Sequence, residues 1–252
     1  MRLVRQHQVD LLILVECELS VPALQIELKD AGVSRFRFPT SKNDRIRILT
    51  RFSSQFLRPR HESDRLTIRR LRLPASEEVL IAAIHLPSKL YWSEDSLHEA
   101  SCEISRAIRD EEQKAGHSRT ILVGDLNMNP FEKGVVGALG LHGVMTREIA
   151  ARRSRTIQGT EHPFFYNPMW RCLSDASPGP SGSFCYERAE YVNYFWNTFD
   201  QVLIRPDLLS RLPDDCVEIL TSAGGQSLLS PRGHPDGDRS SDHLPVLFRL
   251  NL

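Results

Sequence analysis

The sequence predicts a layered α/β fold in which two strand layers pack against each other with helices outside, and three observations carry that prediction. Several short runs are continuously apolar, as at 9–15 (Val-Asp-Leu-Leu-Ile-Leu-Val), 78–86 and 119–123, the pattern of strands covered on both faces. Two segments, 45–52 and 65–73, alternate apolar and polar residues with a period of two. Helical patterns are few and lie beside or between the strands, which favours two packed sheets flanked by helices.

Taken in order, residues 1–8 read as the end of an amphipathic helix, and Val9 to Val15 as a buried strand. Pro22 to Ala31 reads as a helix with Pro near its start and Gly32 just past its end. The alternating segments place Ile46, Ile48 and Thr50 on one side and arginines on the other, and Leu66, Ile68, Leu71 and Leu73 repeat the pattern with one slip, as in half-exposed antiparallel strands. Ser93 to Gly116 is a long helix closed by Gly116, set between two buried strands. Residues 151–190, rich in Arg, Pro, Gly and aromatics, read as a long functional loop. Phe199 to Ile204, Val217 to Leu220 and Leu244 to Leu250 supply the last strands, with 214–237 mostly loop. No repeat or linker divides the chain, so 1–252 is expected to form one domain.

Composition sets further bounds. Hydrophobic residues make up 40% and charged residues 25%, ordinary for a soluble globular protein. Lys+Arg and Asp+Glu both number 32, so the total charge gives nucleic-acid binding no support. The distribution differs: 35–72 holds twelve Lys/Arg against Asp44, Glu62 and Asp64. Such a segment either attracts a phosphate-bearing ligand or forms a solvated surface. Arg147, Arg152, Arg153 and Arg155 form a second basic cluster. The five cysteines are scattered and form no zinc-type pair, consistent with free thiols in a reducing compartment. There is no apolar core of signal-peptide length and no membrane-length apolar run, so a cytoplasmic location is expected. Nothing calls for an obligate protein partner.

Polar residues recur where the apolar strands end. Glu16 follows Leu-Leu-Ile-Leu-Val, His85 follows Leu-Ile-Ala-Ala-Ile, and Asp125 and Asn127 follow Ile-Leu-Val-Gly. Asp200 opens Gln-Val-Leu-Ile, and Asp242-His243 opens Leu-Pro-Val-Leu-Phe. Any one of these alone is an ordinary strand cap, salt-bridged carboxylate or core histidine. Burying an ionisable group is unfavourable by several kcal/mol unless it is paired or binds a metal, and five strand ends carry one. Asp125 and Asn127, two apart, turn to the same side of an extended backbone. Gly124 is expected to admit close approach of a substrate. Carboxylates suit a hard oxygen-seeking cation, and a histidine beside an Asp suits proton handling.

These motifs, at 9–16, 82–86, 121–127 (Ile-Leu-Val-Gly-Asp-Leu-Asn), 199–204 and 241–246 (Ser-Asp-His-Leu-Pro-Val), resemble in type and order those of the endonuclease/exonuclease/phosphatase superfamily. The resemblance spans nearly the whole chain. It implies a four-layered α/β/β/α sandwich of two mixed sheets. It implies that Glu16 binds Mg²⁺ or Mn²⁺ with Asp242, that Asp125 positions or deprotonates the attacking water, and that Asn127 holds the phosphate. His85 would contact the phosphate or assist the leaving oxygen. His243, oriented by Asp200, would contact a phosphate oxygen or act as the base. Members of this family open with a strand carrying an Asn, whereas this sequence starts at the helix that follows it. The first strand is therefore expected upstream of the chain given.

The expected function is metal-dependent hydrolysis of a phosphodiester, with DNA or RNA favoured as substrate. A phosphomonoesterase, a lipid or inositol phosphate phosphoesterase, and a catalytically weak phosphate-binding module are the alternatives. Aromatics between Phe164 and Trp196 either stack on bases or form a small core that holds the loop.

Overall fold

In the computed structural model, which describes residues 1–33, 35–174 and 179–252, the chain opens with helix α1 (Arg2–Gln6), strand β1 (Leu11–Val15) and helix α2 (Val21–Asp30). Ser20 caps α2, its hydroxyl accepting from the Ala23 N–H at 3.3 Å. Strands β2 (Ile46–Thr50), β3 (Leu57–Glu62), β4 (Leu66–Leu71) and β5 (Val79–His85) follow, then helix α3 (Glu94–Ala115) and strand β6 (Thr120–Asp125). α3 begins on a Ser93 cap with Glu94 and Asp95 in its first turn and ends at Gly116 in the left-handed conformation. The middle of the chain forms helix α4 (Lys133–Val136), strand β7 (Gly143–Val144), helix α5 (Arg147–Ala151), strands β8 (Ser154–Ile157), β9 (Thr160–Pro163), β10 (Phe165–Tyr166), β11 (Phe184–Cys185) and β12 (Trp196–Asn197). Strands β13 (Asp200–Ile204), β14 (Val217–Ile219), β15 (Ser222–Ala223), β16 (Gln226–Ser227) and β17 (Val246–Phe248) complete it.

A seven-stranded mixed sheet runs in the order β3-β4-β5-β6-β13-β10-β7. Its β5–β6 pair is parallel, and α3 is the long crossover such a pair requires. The period of two divides the sheet's side chains between two cores. Leu80, Ala82, Ile84, Leu122 and Leu203 pack on Leu97, Ile104 and Ile108 of α3. Ile81, Ala83, Ile121, Val202 and Ile204 face a second layer built from β1, β2, β14 and β17. Outside that layer, Val4 of α1 and Leu28 of α2 close over Leu12, Leu14 and Leu49.

Several expectations change. The second layer is not one sheet but two antiparallel ladders, β1–β2 and β14–β17, and among the described residues no hydrogen-bonded strand joins them. β1 is half-buried at every residue rather than fully buried, because its own outer face is covered only by short helices. β2 and β4 are mostly buried rather than half-exposed. Arg69 in β4 is 1% exposed and pairs with Glu62, so its polar position in the alternation is internal. β3 had no legible pattern: Pro59 cannot donate to a ladder, and the strand accordingly lies at the sheet edge with a register shift between Pro59 and His61. The segment 151–190 is not one loop. It holds the β8–β9 hairpin, and β10 joins the large sheet through Tyr166 opposite Ile204, a pairing too short to leave a periodic signal. No described helix is long and apolar enough to cross a membrane. The five cysteines are free.

One buried ion pair ties α3 to the start of the loop after β13. Arg205 Nε and Nη2 donate to the two carboxylate oxygens of Glu112 at 2.8 and 3.1 Å, while Nη1 donates to the Phe164 and Pro163 carbonyls and the guanidinium lies 3.9 Å from the Phe165 ring centroid. Arg205 is 1% exposed and Glu112 7%. Glu112→Ala would leave the guanidinium buried without its counter-charge. We expect about 3–5 kcal/mol of destabilisation, read from a denaturant midpoint. A loss below 1 kcal/mol would show that water reaches the pair.

Candidate active site

Three adjacent strands of the large sheet carry their polar ends in one row. In the β5–β6 register His85 stands opposite Asp125, and in the β6–β13 register Asp125 stands opposite Asp200. The second layer brings the remaining residues over this row, Glu16 one step past β1 and Asp242-His243 just before β17. Glu16, Asp125, Asp200, Asp242 and His243 line one cleft of about 470 Å³ together with Val15, Gly237, Ser240 and Ser241. His85 Nε2 lies 3.2 Å from Glu16 Oε1 and 4.0 Å from Asp125 Oδ2. The structure thus brings all seven sequence-predicted residues together.

The local chain explains their aim. Glu16 adopts φ 51° and Asn127 φ 48°, left-handed values uncommon for non-glycine residues, and both lie where strands meet the cleft. The Asn127 N–H donates to Asp125 Oδ1 at 2.7 Å and its side-chain amide to Asp125 Oδ2 at 2.8 Å and the Leu86 carbonyl at 2.9 Å. The backbone N–H and one side-chain N–H of Asn127 therefore hold Asp125, while the other anchors Asn127 to the Leu86 carbonyl. Gly124, at φ 140°, meets not a substrate but its neighbouring strand, since a Cβ there would lie 2.0 Å from the Ile84 carbonyl oxygen. His243 Nδ1 donates to Asp200 Oδ2 at 2.7 Å, and Asp200 is itself fixed by a backbone bond to Ser183 Oγ.

Electrostatics separate the groups. Burial, with Asp200 as a second negative charge, pushes the Asp125 carboxyl up to about 7, although His243 and the Asn127 N–H pull the other way. Burial alone would lower His243, but its bond to Asp200 and the charges of Asp125 and Asp242 raise it to about 9. Burial lowers His85, partly countered by Glu16 and reinforced by Arg65 and Arg45. At neutral pH the cleft thus offers a carboxyl near its midpoint beside a charged imidazolium. Four carboxylates share the space, and among the described residues no three His, Cys, Asp or Glu side chains form a ready cage for an ion. This oxygen-rich, incomplete donor set fits Mg²⁺ or Mn²⁺, which keep several of their own waters.

Several contributors escaped the sequence reading. Phe184 and Phe199 pack on the His243 ring at centroid distances of 4.9 and 6.5 Å. A buried amide network supports the loop that follows Asp125: Asn129 bonds Asn197 and the Thr198 N–H, and Gln201 donates to the Met128 carbonyl while accepting from Asn167. Phe199 and Gln201 lie within the 199–204 motif and Asn129 two residues past Asn127, whereas Asn167, Phe184, Asn197 and Thr198 offered no signal. In the second basic cluster Arg147 donates to the Leu212 and Pro213 carbonyls, Arg153 pairs with Asp207 and Arg155 donates to His142, while Arg152 is exposed and pairs with Glu148 one turn away. The aromatics divide, with Phe164 and Phe165 buried and Tyr191, Tyr194 and Phe195 exposed.

No family model and no curated protein sequence matches the chain. Solved structures do. One is TDP2 from D. rerio complexed with single strand DNA product, at 15% identity and TM-score 0.53, with 96% of this chain and 86% of that one covered. The human Nocturnin catalytic domain with bound sulfate matches at 14% identity and TM-score 0.53, covering 98% and 83%. The 3′ phosphatase NExo from Neisseria, bound to product DNA hairpin, matches at 15% and TM-score 0.51, covering 99% and 92%. At such identity the likeness shows the fold alone: this chain adopts the fold shared by the TDP2, Nocturnin and NExo structures.

Proposed function

We propose that the chain is a divalent-cation-dependent hydrolase of phosphodiesters with a nucleic-acid strand as its substrate. The observation that carries this is the in-register row His85–Asp125–Asp200, closed by His243 on Asp200 and Glu16 on His85 within one cleft. Asp125 takes the proton of the attacking water, since its carboxyl lies near neutrality and is held by Asn127 rather than by a salt bridge. Asn127 positions Asp125. His243, kept protonated by Asp200, donates to a phosphate oxygen and favours the charge that develops there. His85 stands at the opposite side of the row, where it assists the leaving oxygen. Glu16 with Asp242 would hold a divalent cation such as Mg²⁺ or Mn²⁺, which would neutralise charge on the phosphate. DNA as substrate is favoured by the DNA products named for the D. rerio and Neisseria structures of the same fold.

The test is a panel of plasmid DNA, single-stranded DNA, RNA, bis-p-nitrophenyl phosphate and inositol phosphates with Mg²⁺ or Mn²⁺ and with EDTA. Cation-dependent cleavage of a nucleic acid or of the generic diester, reduced about 10²-fold or more in His243→Ala, is the expected result. Release of inorganic phosphate from monoesters alone would replace this proposal with a phosphomonoesterase. Tight binding without turnover would leave a phosphate-binding module.

A further inference from the structure

The basic segment at 35–72 is not a uniform surface. Six of its eleven arginines are committed: Arg47 to the Leu19 carbonyl, Arg51 to Asp10, Arg58 to the Gln55 carbonyl, Arg60 to Glu111, Arg69 to Glu62 and Arg70 to Glu78. Of the other five, Arg45 and Arg65 stand beside Glu16 and His85. Among the described residues neither has an ion-pair partner or a side-chain hydrogen bond, and both abut the catalytic row. The Glu16 N–H donates to the Arg45 carbonyl at 3.2 Å, one step beyond the Val15–Ile46 pair of the β1–β2 ladder. The His85 N–H donates to the Arg65 carbonyl at 3.0 Å, one step beyond the Leu66–Ile84 pair of β4 and β5. Directly opposed residues in a ladder share a face, so Arg65 stands on the His85 side of the sheet. The two guanidiniums also feel each other: burial and then Arg45 lower the proton affinity of Arg65, opposed by Asp64 and then Glu16. Two like charges beside the site, neither of them ion-paired among the described residues, are unfavourable in the protein alone. A bound anion reverses that, and the guanidinium fork matches phosphate oxygens in pairs.

Resting on the phosphodiesterase reading, we infer that Arg45 and Arg65 form a second-phosphate subsite that takes the backbone phosphate next to the scissile linkage of a nucleic-acid strand. The repeating backbone supplies such a phosphate on either side of the bond being cut. An isolated diester lacks it.

The experiment compares two oligothymidylates of equal length. One has phosphodiesters throughout, and the other alternates phosphodiesters with neutral methylphosphonates, so that every cleavable linkage has uncharged neighbours on both sides. For the wild-type chain, kcat/KM per cleavable linkage is expected to fall at least about tenfold on the alternating strand, the scale of one charge-assisted contact. In the double variant R45Q/R65Q the two strands should be cleaved with a ratio near one, while R45K/R65K keeps most of the wild-type ratio. Melting temperatures of the variants verify that they fold. Equal ratios in the wild-type chain and R45Q/R65Q would overturn the subsite while leaving the phosphodiesterase reading intact. Turnover of bis-p-nitrophenyl phosphate but of neither strand would also overturn it. Failure to hydrolyse any diester with Mg²⁺ or Mn²⁺ would overturn the reading itself, and the subsite with it.

Discussion

Asp125→Asn is expected to lower cation-dependent diester hydrolysis by about 10³-fold or more and, in EDTA, to melt progressively above the wild-type chain as pH rises from 5 to 8. The first effect follows because an amide cannot accept the proton of the attacking water, while its size and placement are retained. The second follows from the burial of the carboxyl beside Asp200. Its folded-state value of about 7 lies above the ordinary carboxylate value, so the folded state holds this proton more firmly than the unfolded state. The wild-type chain is therefore favoured by this group below about pH 4 and loses that contribution as pH rises to 7. The asparagine variant has no such loss, so the difference in melting temperature between variant and wild type should widen with pH. Opposite slopes, or retention of near-normal turnover, would remove Asp125 from the role of base.

Gly124→Ala should be the most destructive single methyl group that can be added to this chain at the cleft. The new Cβ would lie 2.0 Å from the Ile84 carbonyl oxygen and 3.0 Å from its carbon, both backbone atoms of the β5–β6 parallel pair, one step before its end. Neither can rotate aside, so β5 and β6 must separate, and the φ of 140° is one an alanine rarely adopts. A destabilisation of at least about 4 kcal/mol is expected, seen as insolubility or a collapsed denaturant midpoint. Gly116→Ala is the control. It has nothing within 4 Å of the added methyl, and only the left-handed penalty of about 1–2 kcal/mol applies. Similar losses at both positions would mean that the β5–β6 contact is looser than the geometry indicates.

The sequence alone placed the strand that ends at Val15, the strand that ends at His85, the helix from Ser93 to Gly116 and the seven polar residues at strand ends. Each of these is a local pattern: an apolar run, a 3.6-residue period with caps, or a polar residue at an apolar boundary. Tertiary structure decided the rest. The order β5-β6-β13, which sets His85, Asp125 and Asp200 side by side, depends on pairings between segments far apart in sequence, and a period of two carries no information about neighbours. β3 was hidden by Pro59 and its charges because an edge strand needs only one partner. Arg45 and Arg65 looked the same as Arg60 and Arg69 in the sequence. Only the fold gave the latter pair the carboxylates of Glu111 and Glu62 and set the former beside Glu16 and His85. Whether a charge is spent within the protein or left for a ligand depends on what the chain brings to within a few ångströms of it, and that distance is set by packing rather than by composition.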